Sequence, residues 1–324
     1  MTLSAWSVYL PGVPLGDALG DALGDAASRA ISGEWARQDA PPPEQAGAVL
    51  GRKGLLYKEP ATRLALCAVH RALGLEPGRR PDWPVDPRTA VVAASNLGNV
   101  ETVAKITRAV TAEGRRAVSV LDAPNASSNI VASTAALWFR FGGPNVMICS
   151  GATAGADALR LAGVLLRARR ADRVVVVGAE PADEVAAALQ AVGSGARQSP
   201  LRSGAACLLL QAEPPAEPPA DDVEFPQTYG DDVTSSQNRR RAVVELLPEG
   251  VPWPREPRST VGSSGFDPVA RWGYCYGAQG VVAVALAAHL AVDERHGVVG
   301  VADPGDPSAS GARALVSTFE GWST

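Results

Sequence analysis

The sequence predicts an α/β fold of about two units, and three observations carry that expectation. From Phe141 to Arg170 a Gly-Gly-Pro turn leads into a short apolar run, Val146 to Cys149, and then into small residues. From Thr153 onward Ala158, Leu161, Ala162, Leu165 and Leu166 recur at helical spacing, so the stretch reads as strand, sharp turn and buried helix. Two further runs, Arg173 to Gly178 and Ala205 to Gln211, are continuously apolar, the pattern of strands covered on both faces. Between such runs lie amphipathic helical segments at Ala61 to Leu73 and Val100 to Glu113. A chain of 324 residues is long enough for one large core or two fused ones.

Composition narrows the function classes. The chain is 46% hydrophobic with a net charge of -4, which gives no electrostatic reason to expect nucleic acid or an anionic membrane surface as a partner. No apolar run reaches 18 residues and no cationic start precedes an apolar core, so neither a membrane span nor export is expected. Cys67, Cys149, Cys207 and Cys275 stand singly on apolar segments without a metal-ligand spacing and are expected as buried thiols. No metal site and no cofactor is predicted.

Taken in order, Trp6 to Leu10 is a first strand closed by Pro11-Gly12. The tandem GDALGDALGD, Gly16 to Asp25, is too short for a repeat array and reads as a loop or frayed helix. Asp39 to Gln45, with three consecutive prolines, is a loop. After the helix that ends near Leu73, Thr89 to Ala94 is a buried strand. The helix Val100 to Glu113 puts Val103, Ile106, Thr107 and Val110 on one face. A helix from Ile130 to Phe141 follows the loop at Asp122 to Ser128. Glu213 to Asp222, rich in Pro, Ala and acids, has the composition of an exposed linker. Val281 to Val292 is an apolar helix, and Ala314 to Thr318 is a last strand, expected at an open or partner-covered edge of its sheet.

A turn such as the one at Ser150 to Thr153 aims one side chain at the positive end of a helix, where free N–H groups lower a thiol pKa and hold an oxyanion. The residue in that seat is Ala152. The stretch resembles the nucleophile elbow of thiolase-fold β-ketoacyl synthases, in which a Cys follows the Gly-Pro by eight residues. It is most similar to the dissociated, type II polyketide ketosynthases: Gly151-Ala152-Thr153-Ala154-Gly155-Ala156-Asp157 keeps both glycines, the Thr and the Asp of their G-C-T-S-G-L-D. Pro124-Asn125-Ala126 matches their Pro-Asn-Ala loop, which leads to a helix along the family's dimer axis. Gly204-Ala205-Ala206 matches the start of a family strand.

The family's two histidines are missing as well. Between Asp221 and Arg271 there is no His where the His-Gly-Thr-Gly-Thr loop would stand. Gly273-Tyr274-Cys275-Tyr276-Gly277-Ala278-Gln279-Gly280 aligns with a G-H-S-L-G-A-x-G helix start and puts Tyr274 in the histidine seat. His70, His289 and His296 lie on or at the end of predicted helices, as packed or surface residues. Ser150 and Thr153 flank the turn without an activating base in sequence view.

The resemblance implies a thiolase-like fold: two fused βαβαβ-type halves in a layered α/β/α/β/α sandwich, residues 1–212 and 223–324 joined by the linker 213–222, with the second half reduced. It implies no condensing activity for the chain itself. The chain is most similar to the chain-length factors of type II polyketide synthases, and within them to those of compact, polyene-forming systems: inactive paralogues that pair with an active ketosynthase and shape its acyl tunnel. The implied partners are that ketosynthase, as a heterodimer; an acyl carrier protein through the complex; and the growing polyketide chain, all in the cytoplasm. Thr102, Val103, Ile106, Asn125, Ser128 and Ile130 are the candidate tunnel and interface residues. Two other classes stay open, a homodimeric scaffold for carrier proteins and a residual decarboxylase or acyltransferase.

Overall fold

A computed structural model describes residues 1–13, 40–193, 200–212, 241–247, 259–261, 267–293, 298–301 and 313–319. Nine strands are found there: β1 (Thr2–Tyr9), β2 (Thr89–Ala94), β3 (Asn145–Ile148), β4 (Arg173–Glu180), β5 (Gly204–Gln211), β6 (Arg241–Leu247), β7 (Ser259–Val261), β8 (Val298–Val301) and β9 (Arg313–Phe319). They form one sheet in the order β3-β2-β4-β5-β1-β6-β9-β8-β7. The linker 213–222, the tandem 16–25 and His296 lie outside the described residues.

The two halves meet where β1 pairs antiparallel with β6, through Thr2↔Val243 and Leu3↔Ala242. Outward from that joint the pairings repeat. On one side β1–β5 and β5–β4 are antiparallel and β4–β2 is parallel. On the other, β6–β9 and β9–β8 are antiparallel and β8–β7 is parallel. The first half continues with a parallel β2–β3 pair. The repetition follows from a shared order of elements in the chain, since in each half the first and last strands are antiparallel neighbours.

Apart from a single turn at Gly47–Leu50, the α-helices among the described residues are α1 (Pro60–Ala72), α2 (Val100–Glu113), α3 (Ile130–Phe139), α4 (Ala154–Arg167), α5 (Glu184–Gly193), α6 (Pro268–Trp272) and α7 (Gln279–Asp293). α1 and α3 cover one face of the first half, with Leu64, Ala68, Val131, Ala135 and Phe139 packed against Val91, Ala93, Val175 and Val177. The alternate residues of the same strands, Val92, Val174 and Val176, face α4 and α7. This is why β2 and β4 are apolar at every position. α7 carries no charge before Asp293 and is buried all round from Val281 to Ala291. It touches strands of both halves, so α4 and α7 are the middle helical layer between them. The two helices cross at glycines: a Cβ on Gly155 would lie 2.9 Å from Gly280 Cα.

Several expectations shift. α3 stops at Phe139 rather than Phe141, because Arg140 takes the left-handed conformation at φ 62° and the Phe141 amide returns to Ala136 O. The first strand begins at Thr2, and β3 ends at Ile148, leaving Cys149 beyond the strand and exposed rather than buried. β9 is an interior strand between β6 and β8, not an edge. The edges of the described sheet are β3 and β7. Strands β6, β7 and β8 were not anticipated.

Candidate functional site

Beyond β3 the chain passes Ser150 (φ -92°, ψ 31°), turns at Gly151 (φ 70°) into a 3₁₀ turn Gly151–Thr153, and enters α4. Gly151 takes the left-handed region without a Cβ penalty. Ala152 therefore presents only a methyl group at the N-terminus of α4, where the sequence places the nucleophile seat. The hydroxyls beside it are already committed. Ser150 Oγ donates to Asp157 Oδ2 at 2.5 Å and Thr153 Oγ1 to the same oxygen at 3.0 Å, while Arg160 Nη1 donates to Oδ1 at 2.6 Å. Partial burial pulls the Asp157 carboxyl upward, but these three hydrogen bonds outweigh it and hold it below its ordinary value. A serine tied to so weak a base is not an activated nucleophile.

The second half builds a matching turn. Cys275 (φ -88°, ψ 27°) precedes Tyr276 (φ 36°), which opens the 3₁₀ turn Tyr276–Ala278 before α7. The backbone of Tyr274 is tied to the first half, its N–H donating to Pro200 O and its carbonyl accepting from Arg202, each at 2.9 Å. Its ring meets that of Tyr276 edge-on, with centroids 5.9 Å apart. Tyr276, rather than Tyr274, reaches across to the first turn: its hydroxyl lies 3.6 Å from where a Cβ of Gly151 would stand.

Between the two turns sits a buried polar cluster that sequence reasoning missed. Glu180, at the end of β4, is fully buried. Its Oε1 accepts from the Asn96 backbone N–H at 2.7 Å and from Asn96 Nδ2 at 3.3 Å. Its Oε2 accepts from the Leu97 N–H at 2.9 Å and from Ser95 Oγ at 3.2 Å. Asn96 in turn grips the first turn, taking the Gly151 N–H on Oδ1 at 2.7 Å and giving Nδ2 to Gly151 O at 3.0 Å. Gly277 of the second turn closes over this cluster, since any Cβ there would collide with the Asn96 amide and lie 2.8 Å from Glu180 Oε1. The available signal was an acid ending an otherwise apolar and small run, Val174 to Glu180.

The thiols offer no substitute nucleophile. Cys149 Sγ donates to Ser95 O at 3.2 Å, and partial desolvation at the rim, followed by the nearby Glu180, pushes its pKa up. Burial is also the main reason that the Cys275 thiol is pushed up to about 12. His70 is buried on α1 with Nε2 at 3.2 Å from Arg79 O. His289 is buried within α7, and burial lowers it to about 4.

Of the candidate wall residues, Thr102 points inward, its hydroxyl bonded to Glu59, whereas Val103 is 42% exposed and Ile106 half-buried on the outer side of α2. Asn125 is buried, with Nδ2 donating to Tyr57 O. Ile130 is buried at the start of α3, and Ser128 is exposed. No helix among the described residues is long and apolar enough to cross a membrane.

Residues 51–203 match the family model of the β-ketoacyl synthase N-terminal domain, a span that holds β2, β3, β4 and the first turn. Three solved structures each cover 98% of this chain over 98% of their own. The ishigamide ketosynthase/chain length factor matches with a TM-score of 0.63 at 19% identity. A type II PKS acyl-carrier protein in complex with its ketosynthase bound to the hexaketide (AntDE:AntF) matches with 0.60 at 11%, and a β-ketoacyl synthase from Burkholderia phymatum STM815 with 0.60 at 13%. No curated protein matches the chain. The fold is thus that of the thiolase-type ketosynthases.

Proposed function

From a ketosynthase-like chain that holds Ala152 at the nucleophile seat, we propose a non-catalytic chain-length factor, a subunit that pairs with an active ketosynthase and shapes the acyl tunnel of a type II polyketide synthase. The observation that carries this reading is the first turn itself. The positive end of α4 is kept, while the side chain it would activate is a methyl group and the second turn offers Tyr274 and Tyr276 in place of an imidazole.

The surface of the first half supports a large partner. Among the described residues β3 is an edge strand of the sheet, and its Val146, Met147 and Ile148 are only half-buried. Around the helices of that half, Leu137 is 82%, Val120 83% and Leu121 51% exposed, and α2 buries only Thr102. Exposed apolar side chains on several elements of one half are what a covered interface would use. Val103 and Ile106 would then contribute to the tunnel wall, with Asn125, Ser128 and Ile130 at its margin. Each methylene of an acyl chain gains about 0.8 kcal/mol on burial, so one bulky wall residue is enough to end elongation. The carrier protein reaches the chain through the ketosynthase, in the cytoplasm.

The test is co-expression with active type II ketosynthases, then sizing and elongation assays with Ile106→Trp. A one-to-one complex whose product shortens supports the reading. A stable homodimer with no effect on product overturns it in favour of a scaffold. A covalent acyl adduct on the isolated chain overturns it in favour of a residual acyltransferase or decarboxylase.

A further inference from the structure

We propose that Glu180 and Asn96 form a proton-sensitive brace that positions the first turn, and with it Ala152 and the start of α4, against the second.

The geometry carries the argument. The four groups bonded to the Glu180 carboxylate all donate, and three of them are N–H groups that cannot accept. In the ionised state all four bonds are made. A proton arriving at the carboxyl can be shared only with Ser95 Oγ, the one partner able to accept, so it sits on Oε2. The Ser95 hydroxyl must then turn away, and the Leu97 N–H is left facing a weakly accepting hydroxyl oxygen. The segment Ser95 to Leu97 loosens at that point. Asn96 transmits the change, because its side chain holds both the N–H and the carbonyl of Gly151.

Among the described residues, no cationic side chain is hydrogen-bonded or ion-paired to the carboxylate. Just beyond β3 it faces Cys149, and from the second turn Cys275 and the backbone of Gly277, while the Ser95 to Leu97 segment and its β5 neighbour Gly204 bring no charge. Arg202, which acts on Cys275, gives its guanidinium N–H groups to Trp272 O at 3.0 Å and Pro11 O at 2.6 Å. Burial is the largest of those influences and raises the carboxyl to about 7, against the lowering effect of its four hydrogen bonds. The brace therefore works near neutral pH.

The experiment is a pH titration of the full chain by NMR, with the Glu180 Cδ and the amides of Asn96, Leu97 and Gly151 followed together. All four signals are expected to move with a common midpoint near 7. In Asn96→Ala the Glu180 and Leu97 transitions persist while that of Gly151 disappears. In Glu180→Gln none remains. A Glu180 carboxyl that titrates in the ordinary carboxylate range overturns the proposal, as does a Gly151 amide that is flat in the parent chain or still titrates in Asn96→Ala. If Glu180→Gln does not fold, the Asn96→Ala comparison decides alone. The readouts are local and need no partner, so they stand or fall separately from the chain-length reading.

Discussion

The two turns that open α4 and α7 are built alike and used differently. Each begins with a residue near φ -90°, follows with one in the left-handed region, runs through a 3₁₀ turn and enters a helix that crosses its counterpart at glycine. Position by position, Ser150 matches Cys275, Gly151 matches Tyr276, and Ala152 matches Gly277. The first turn supplies glycine where φ is positive and leaves a methyl group at the seat. The second puts a tyrosine at φ 36° and can tolerate nothing beyond hydrogen at the corresponding seat. The scaffold that would serve chemistry is retained in both, and the space between the turns has been given to Glu180, Asn96 and Tyr276. Conformation and catalytic content are therefore separable features of this fold.

The sharpest way to break the comparison is to exchange the seats. Gly277→Ala drives a methyl into the Asn96 amide and toward Glu180. It is expected to cost on the order of 3 kcal/mol, the upper end for overpacking, because the obstacle is a hydrogen-bonded cluster and not a flexible side-chain end. Ala152→Ser, at a half-buried position, is expected to stay within about 0.5 kcal/mol. Denaturant unfolding of the two variants measures both. Equal costs would show that the turns are not distinguished by what lies between them.

A pH comparison separates the brace from the stability of the whole chain. Glu180 is raised from 4.5 to about 7, so the folded state binds the proton more tightly than the unfolded state. Its contribution is fully present below about pH 4.5 and is lost as pH rises through about 7, amounting to about 3 kcal/mol at most. Unfolding free energy should therefore fall between pH 5 and 8 by more in the parent chain than in Glu180→Gln. Protonation makes the chain harder to unfold while loosening one local contact, because the two effects have different reference states: a carboxylate in water, and a carboxylate among four donors. Parallel slopes in the two proteins would remove Glu180 from the account.

The first turn and the second were legible to different degrees for physical reasons. The helix at Val100–Glu113 follows from periodicity, and the buried strands near Arg173 and Gly204 from continuous apolar runs; both signals are local. Glu180 and Asn96 are 84 residues apart in the chain, and only the parallel pairing of β2 with β4 brings their ends together. No pattern near either residue announces the contact. β6 was missed because Ala242 and Val244 are buried while Glu245 is exposed, a short mixed run without the continuous apolar character of β4. Cys149 was misjudged by its neighbours. The strand was expected to include it, but β3 ends one residue earlier, and the thiol emerges at the rim.

The smallest structural change carries the most direct chemical question. Ala152→Cys adds one sulfur atom at the N-terminus of α4 and is expected to alter stability by no more than about 0.5 kcal/mol. The helix end favours a thiolate there, so the new thiol should react with iodoacetamide faster than Cys149, which partial desolvation and Glu180 both push upward in pKa. Alkylation tests only that electrostatic setting. Condensation also needs groups that polarise a thioester carbonyl and manage a proton, and the facing turn supplies Tyr274, Cys275 and Tyr276 with the Cys275 thiol itself pushed up to about 12. Rapid alkylation without carbon–carbon bond formation, when the variant is given an acyl donor and a malonyl carrier, is the expected result. If the single substitution restored condensation, the second turn would have to hold catalytic groups after all, and the two turns would differ in one side chain only.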